Sequence, residues 1–165
     1  MIIGITGGTG CGKTTLLKEI EARGGLVLDC DAVYHELLTR DMELLNALND
    51  RFPGVVVDKK LERKKLGAIV FADEQALQDL NAITHGAIKA EIVRRLSENP
   101  PLAAIDAIAL FEGGLAHLCD TTVAITAPRA ERIQRLMKRD GISYEYAENR
   151  INAQKSESWF REMCD

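Results

Sequence analysis

Short apolar runs alternate along the chain with longer stretches in which apolar residues recur every three to four positions. Four of the runs predict buried strands, at residues 1–6, 26–30, 102–111 and 121–126. Short continuous apolar runs of this kind are typical of strands in a parallel sheet. The stretches between them have the spacing of amphipathic helices. Strands that alternate with helices predict an α/β fold whose parallel sheet carries helices on both faces.

The predicted helices end near glycine, proline or asparagine. They span about residues 13–23, 32–49, 61–98, 128–139 and, after Gly141, up to about residue 155. The mainly helical stretch from residue 32 to residue 98 interrupts the alternation, so we expect an insertion that lies over the edge of the sheet. Trp159 and Phe160 are expected to pack a terminal helix.

A glycine-rich motif follows the first predicted strand. Residues 7–14, GGTGCGKT, match G-x-x-x-x-G-K-[ST] at every fixed position. In such a loop the backbone N–H groups surround phosphates, the lysine reaches the β- and γ-phosphates, and the Ser/Thr hydroxyl ligates Mg²⁺. A strand before the motif and an amphipathic helix after it predict a P-loop that binds ATP, with Mg²⁺ on Thr14. The predicted nucleotide-binding residues of the loop are Gly8, Thr9, Gly10, Cys11, Gly12, Lys13, Thr14 and Thr15.

Composition and charge restrict the class of ligand. The chain has 165 residues, which suits one domain, and its net charge of −4 disfavours a general nucleic-acid binder. Two stretches, 59–65 and 129–139, each contain five basic residues and one acidic residue, a pattern that favours a small anionic ligand. Because no signal peptide and no membrane-length apolar run is present, we expect a cytoplasmic protein that binds no membrane. Its four cysteines are expected to be reduced thiols.

Several classes of P-loop protein fit poorly. A GTPase would need a segment resembling N-K-x-D, which does not occur, and a motor or transport ATPase would usually be larger. Small-molecule kinases place an acidic residue at the end of the second strand and an arginine-rich helix over the nucleotide. Asp29 and Asp31 follow the second predicted strand, and the stretch 129–139 supplies the arginines.

The ordered set of motifs resembles the dephospho-coenzyme A kinase family, whose members phosphorylate the ribose 3′-hydroxyl of dephospho-CoA. The matching segments are Gly4–Thr14, Asp29–Ala32, Leu80–His85, Leu110–Glu112 and, in a pair of helices, Arg135, Arg139–Ser143, Ala147, Arg150 and Gln154. The resemblance covers nearly the whole chain in the family's order. The chain departs from it at Cys11 and Thr14, where serine is usual, and at Gly86 and Ile108, where proline is usual.

Asp31 is the candidate catalytic base. From the residues alone it is equally an N-cap of the following helix or a carboxylate at the ligand-binding edge of the sheet. The resemblance favours catalysis, in which Asp31 orients the 3′-hydroxyl of the acceptor and accepts its proton. Asp29 is interpreted as a buried or capping carboxylate.

Arg132, Arg135 and Arg139 are spaced to share one face of a helix. A guanidinium can hold phosphate oxygens and offset charge that develops during transfer. We expect Arg135 and Arg139 to bind ATP and Arg139, with Lys13, to assist catalysis, whereas Arg132 either joins them or belongs to a solvated basic face. The segment from about 129 to 155 is predicted to be a lid that excludes water.

The resemblance favours acceptor binding for His85, and Glu112, at the end of the matching segment Leu110–Glu112, is expected to bind the acceptor as well. Arg63, with Lys64 beside it, is expected to meet the pyrophosphate of the acceptor. Each has an alternative: a solvated basic face for Arg63, a structural histidine for His85, and a Mg²⁺ contact, a lid-arginine partner or a structural ion pair for Glu112. The acceptor is expected between the edge of the second strand and the helices of residues 61–96.

We therefore predict a single P-loop kinase domain over residues 1–165. Its core is about residues 1–31 and 102–128, its acceptor-binding insertion about 32–101, and its lid about 129–155. The resembled family continues with one more strand and helix, which we expect this chain to lack. The predicted activity is ATP- and Mg²⁺-dependent phosphorylation of dephospho-CoA, the last step of coenzyme A biosynthesis. The alternatives are another P-loop nucleoside or nucleoside-monophosphate kinase, or a nucleotide-binding module without catalysis; the sequence gives no indication of the oligomeric state.

Overall fold

Two compact units make up the protein in a computed structural model that describes residues 1–165. The first unit comprises Met1–Asp29 and Asn99–Asp165, and the second comprises Cys30–Glu98. The second unit therefore interrupts the first within the stretch that the sequence marks as an insertion. No helix in either unit has the length and apolar character needed to cross a membrane.

Six strands and eight α-helices are present. The strands are β1 (Ile2–Thr6), β2 (Leu26–Asp29), β3 (Val56–Val57), β4 (Lys60–Leu61), β5 (Ala103–Asp106) and β6 (Thr121–Ala124). The helices are α1 (Lys13–Ala22), α2 (Cys30–Arg40), α3 (Met42–Arg51), α4 (Arg63–Ala72), α5 (Glu74–Leu96), α6 (Arg129–Asp140), α7 (Tyr144–Asn152) and α8 (Glu157–Met163). A 3₁₀ turn at Ala116–Leu118 precedes β6.

The sheet of the first unit has the strand order β2-β5-β1-β6, and its strands pair in parallel. The two central strands, β1 and β5, are largely buried, and Ile5 and Ile105 are completely buried. Leu17 and Ile20 of α1 pack with Ile5 in one hydrophobic cluster. These features confirm the predicted α/β fold with a parallel sheet flanked by helices, and they bring the ends of β1, β2 and β5 to one edge.

Element boundaries differ from the prediction where a side chain caps a helix. The predicted helix 32–49 is two helices, because Asp41 accepts a hydrogen bond from the N–H of Leu44 and begins α3. The predicted helix 61–98 likewise divides at Asp73, which caps α5. The predicted strand 102–111 ends at Asp106, and turns follow it.

A β-hairpin that the sequence did not predict joins α3 to α4. Its strands, β3 and β4, have two residues each and pair antiparallel. The turn consists of Asp58 and Lys59, whose φ angles are 49° and 62°. Two successive left-handed residues favour a tight hairpin turn whose twist matches that of the strands. The hairpin overlaps the basic stretch 59–65. It borders a cavity of about 430 Å³, which is lined in part by His35, Lys60 and Arg63.

A buried carboxylate ties together α2 and α5 in the second unit. Glu91 is 7% exposed, and it accepts hydrogen bonds from Arg40 at 2.8 Å, Arg94 at 2.8 and 2.9 Å, and Arg95 at 2.8 Å. Hydrogen bonds from Arg94 and then Arg95, with the charge of Arg40, outweigh desolvation and hold the pKa of Glu91 well below its ordinary range. The ionised form of Glu91 therefore stabilises the folded state.

Replacing Glu91 with glutamine is expected to lower the free energy of unfolding at pH 7 by about 1–3 kcal/mol. Because the folded pKa is lowered, the contribution of Glu91 is fully present above the unfolded value of about 4.3, and it is lost progressively as the pH falls from there through the lower folded value. Urea denaturation at pH 7 and at pH 3 tests this: between these two pH values the free energy of unfolding should fall less in Glu91→Gln than in wild type. Glu21→Gln, at an exposed position of α1, is the control, and equal stability of both variants would contradict this expectation.

Candidate active site

The glycine-rich loop lies between the end of β1 at Thr6 and the start of α1 at Lys13. Three of its glycines have positive φ: Gly7 at 129°, Gly10 at 77° and Gly12 at 95°. At Gly7 a Cβ atom would also lie 2.2 Å from the carbonyl oxygen of Ile125, which the backbone cannot accommodate. Gly12 is the N-cap of α1 and supplies no side chain, so no capping side chain occupies the N–H groups of Lys13 and Thr14, which can donate to an anion.

Lys13 lies over this loop. Its Nζ donates a hydrogen bond to the carbonyl oxygen of Gly7 at 3.0 Å, and the side chain is half-buried. The ammonium is therefore held beside the loop backbone, close to the N-terminus of α1. Thr14 and Thr15 follow on the first turn of α1 and are exposed. The arrangement offers backbone donors, one ammonium and hydroxyl groups to a polyphosphate.

Arg132 of α6 contacts the loop directly. It is 8% exposed, and its Nε donates to the carbonyl oxygen of Thr9 at 2.9 Å. The N–H of Thr9 in turn donates to Oε1 of Gln154, at 2.8 Å. The alternative of a solvated basic face is therefore wrong for Arg132. Gln154 belongs to the motif set that carries the family resemblance, but the sequence analysis assigned it no role.

Arg135 and Arg139 have different surroundings on the same helix. Nη1 of Arg135 donates to the carbonyl oxygen of Gly10 at 3.1 Å, and its Nη2 pairs with Glu131 at 2.9 Å. Arg139 instead forms a bidentate pair with Asp140, at 2.6 and 2.9 Å. Hydrogen bonds from Arg139 and then Arg150 lower the pKa of Asp140 to about 2, and the same contact raises the pKa of Arg139. The structure thus brings Arg135 to the loop and holds Arg139 at the end of α6.

Asp31 is the second residue of α2, which begins directly after β2. Since Cys30 is already helical, Asp31 is not the N-cap, and that alternative is wrong. Its side chain is exposed in the first turn, where the helix dipole favours a negative charge. Asp29, expected to be buried or capping, is exposed at the end of β2 in register with Asp106 of β5, so it is not buried. It directly precedes Cys30, the first residue of α2, which is the position of a capping residue.

A hydrogen-bonded chain in the second unit links the turn of Asp31 to Arg63. Nδ1 of His35 lies 2.7 Å from the carbonyl oxygen of Asp31, and its Nε2 lies 3.3 Å from Nη1 of Arg63. With the proton on Nδ1, the imidazole donates to Asp31 and accepts from Arg63. Tyr34 packs its ring edge-on to that of His35, at 5.9 Å between centroids. His35 was not predicted to belong to the site; no motif marked it, although it lies one helical turn after Asp31.

The two remaining predicted residues, His85 and Glu112, lie on α5 and in the turns after β5. His85 is half-buried on α5 in the second unit. Glu112 is exposed in the turns that follow β5, and it forms no ion pair. Neither the lid-arginine partner nor the structural ion pair that we considered for Glu112 is therefore observed. No group of three or more His, Cys, Asp or Glu residues could hold a metal ion by itself.

Comparisons with known proteins agree with this geometry. A family model described as dephospho-CoA kinase matches residues 1–165. The curated dephospho-CoA kinase of Anaeromyxobacter dehalogenans is 39% identical over 159 residues, which are 93% of this chain and 75% of that protein. A solved structure of a Thermus thermophilus protein aligns with a TM-score of 0.84 at 34% identity, over 99% of this chain and 85% of its own. The dephospho-CoA kinase from Campylobacter jejuni shares the fold, with a TM-score of 0.59 at 24% identity over 98% and 92% of the two chains.

Proposed function

The chain belongs to the dephospho-CoA kinase family, and from that membership we propose how its parts carry out one reaction. It is an ATP-dependent kinase that phosphorylates the ribose 3′-hydroxyl of dephospho-CoA to give coenzyme A. The observation that carries this conclusion is the family match over residues 1–165, which includes a complete phosphate loop. We propose a cytoplasmic location and small molecules as the only substrates.

The first unit is proposed to bind ATP. The loop from Gly8 to Gly12 would surround the phosphates with N–H groups, and the N-terminus of α1 would add its dipole. Lys13 would contact the β- and γ-phosphates, and Arg135 the transferred group. The positive-φ glycines and the position of Lys13 above the loop support these roles.

Mg²⁺ is proposed to bind with the nucleotide. The described residues contain no acidic cluster for it, which fits a Mg²⁺ ion coordinated largely by phosphate oxygens and water. The exposed hydroxyl of Thr14 on the first turn of α1 is the protein ligand we propose. When bound, the ion would neutralise charge on the β- and γ-phosphates.

The second unit is proposed to bind dephospho-CoA. Arg63 lines the cavity beside the hairpin and carries a guanidinium suited to the pyrophosphate of the acceptor. His85 and Glu112 are proposed as further acceptor contacts on the strength of the motif match alone. The division into a nucleotide-binding core, an acceptor-binding insertion and a lid of about residues 129–155 forms part of the same proposal.

The proposed chemistry is an in-line transfer. The 3′-oxygen of the acceptor bonds to the γ-phosphorus of ATP as the bond between that phosphorus and the β,γ-bridging oxygen breaks, and ADP leaves. Asp31 accepts the proton that the 3′-hydroxyl loses. Lys13 and Arg139 stabilise the negative charge on the transferred and leaving groups. For Arg139 this requires exchange of its Asp140 partner for a phosphate.

A coupled assay of ADP release tests the function. Purified protein with ATP and Mg²⁺ should release ADP when dephospho-CoA is added, and the product should carry a phosphate on the ribose 3′-oxygen. Adenosine and AMP serve as parallel acceptors. Turnover with a nucleoside but not with dephospho-CoA would leave the P-loop fold intact and overturn the proposed acceptor.

Replacing Arg63 with alanine is expected to raise KM for dephospho-CoA about tenfold or more and to leave KM for ATP unchanged. The reason is the loss of a charge-assisted contact to the acceptor phosphates. Lys64→Ala is the matched neighbour: Lys64 is exposed at the next position and lacks the His35 contact, so a smaller rise in KM is expected. Steady-state kinetics with each substrate varied in turn provide the measurement. An unchanged KM in Arg63→Ala would remove Arg63 from the acceptor site.

A further inference from the structure

Both polar groups of the Thr9 backbone are held by side chains distant in sequence. The N–H of Thr9 donates to Oε1 of Gln154, 145 positions away, at 2.8 Å. The carbonyl oxygen of Thr9 accepts from Nε of Arg132, 123 positions away, at 2.9 Å. Nη2 of Arg132 also lies 3.5 Å from Oε1 of Gln154, which closes a ring of contacts. We call Arg132 and Gln154 together the clasp.

Two glycines at positions that the phosphate-binding motif leaves open lie against the clasp, and one of them, Gly10, also has a positive φ. The motif leaves positions 8 and 10 open to any residue, yet both are glycine. A Cβ atom at Gly8 would lie 2.2 Å from Nη2 of Arg132 and 3.1 Å from Oε1 of Gln154. At Gly10 it would lie 2.9 Å from the carbonyl oxygen of Arg132. The loop therefore leaves space for these two residues.

The clasp restrains a glycine-rich part of the loop. Gly7, Gly10 and Gly12 have positive φ, and glycines lose more conformational freedom on ordering than other residues do. Thr9 lies between them, and its backbone is fixed on both sides. A loop that is ordered before its ligand arrives binds that ligand more tightly, because less entropy is lost on binding.

We propose that Gln154 and Arg132 are positioning residues that hold the phosphate loop in its ATP-binding conformation. Gln154 follows α7, and Arg132 is on α6, so the clasp couples the α6–α7 segment to ATP affinity through the backbone of Thr9. The inference rests on the proposal that ATP binds this loop, and it is independent of the identity of the acceptor.

Replacing Gln154 with methionine tests the clasp. Methionine keeps the length of the side chain and removes the acceptor for the Thr9 N–H. The Kd for ATP in the presence of Mg²⁺, measured by titration calorimetry without acceptor, is expected to rise about threefold to tenfold, the range for one hydrogen bond. Gln134→Met, at an exposed position of α6, is the matched control and should leave Kd unchanged. KM for dephospho-CoA should be the same in both variants.

A second variant separates positioning from a contribution to folding alone, and tryptophan emission reports on the segment around Gln154. Gln154→Glu keeps an acceptor for Thr9 and a partner for Arg132, and we expect it to bind ATP more tightly than Gln154→Met does. Trp159 is the single tryptophan, and Nζ of Lys155, the residue after Gln154, lies 5.4 Å from its ring centroid. Its emission should therefore change in Gln154→Met and not in Gln134→Met.

Two results would overturn the proposal. A lowered Tm in Gln154→Met with an unchanged Kd for ATP would show that the clasp only stabilises the fold. Equal weakening of ATP binding in Gln154→Met and Gln134→Met would remove the special role of Gln154. Since neither measurement contains an acceptor, absence of turnover with dephospho-CoA would count against the proposed function and leave this test intact.

Discussion

A variant with Asp31 replaced by asparagine is expected to have a kcat about 10²-fold or more below wild type with dephospho-CoA. Asparagine has the size of aspartate and retains a hydrogen-bonding oxygen, but it cannot accept the proton of the 3′-hydroxyl. Asp31 is exposed in the first turn of α2, directly after β2, so the substitution leaves the packing of the second unit undisturbed. The Kd for ATP should stay within about twofold of wild type, because in the proposed mechanism Asp31 contacts the acceptor hydroxyl and does not help to bind ATP.

Two matched aspartates provide the controls for Asp31→Asn. Asp50 is exposed on α3 in the same unit, and Asp50→Asn should leave kcat unchanged. Asp29 is exposed two positions earlier, at the end of β2, and Asp29→Asn should have a much smaller effect than Asp31→Asn. A near-normal kcat in Asp31→Asn would remove Asp31 from the mechanism. A large fall in Asp29→Asn alone would assign the proton acceptor to Asp29.

The phosphate loop and the parallel sheet could be predicted from sequence because their causes are local. The run from residue 7 to residue 14 contains both the positive-φ glycines and the lysine that lies above them. Continuous apolar runs identified the four strands of the sheet, since both faces of these strands are covered. The hairpin at β3 and β4 gave no such signal. Its strands are too short to show a period, and its turn uses Asp58 and Lys59 in a conformation that glycine and asparagine more often adopt.

The contacts of Arg132 and Gln154 could not be predicted because their partner is a backbone far away in sequence. Helical spacing placed Arg132 on one face with Arg135 and Arg139, but spacing does not determine what that face contacts. In the structure Arg132 is buried against Thr9, whereas Arg139 is paired with Asp140. One sequence signal was present: glycine at position 8, which the motif leaves open and whose φ is not positive. Such a glycine indicates that another part of the chain approaches the loop closely.

Replacing Lys13 with alanine is expected to lower kcat by about 10²- to 10³-fold, the usual cost of removing one group that stabilises the transition state. Unlike Asp31→Asn, this variant should also bind ATP more weakly, because Lys13 is proposed to contact the β- and γ-phosphates in both the ground state and the transition state. Nζ of Lys13 lies 3.0 Å from the carbonyl oxygen of Gly7, so this hydrogen bond holds the ammonium at the loop without a bound phosphate. Titration calorimetry with ATP and steady-state kinetics with dephospho-CoA measure the two effects separately.

Lys18→Ala is the control for Lys13→Ala, because Lys18 is exposed on α1 and lies outside the loop. It removes the same charge from the same helix and should leave both kcat and the Kd for ATP unchanged. The variants at Lys13 and Asp31 then separate ATP binding from the transfer step. Loss of ATP binding and of kcat together is expected for Lys13→Ala, and loss of kcat alone for Asp31→Asn. If Lys13→Ala bound ATP as tightly as wild type, other groups would hold the phosphates. That result would contradict the proposed ATP site even if the protein turned over dephospho-CoA.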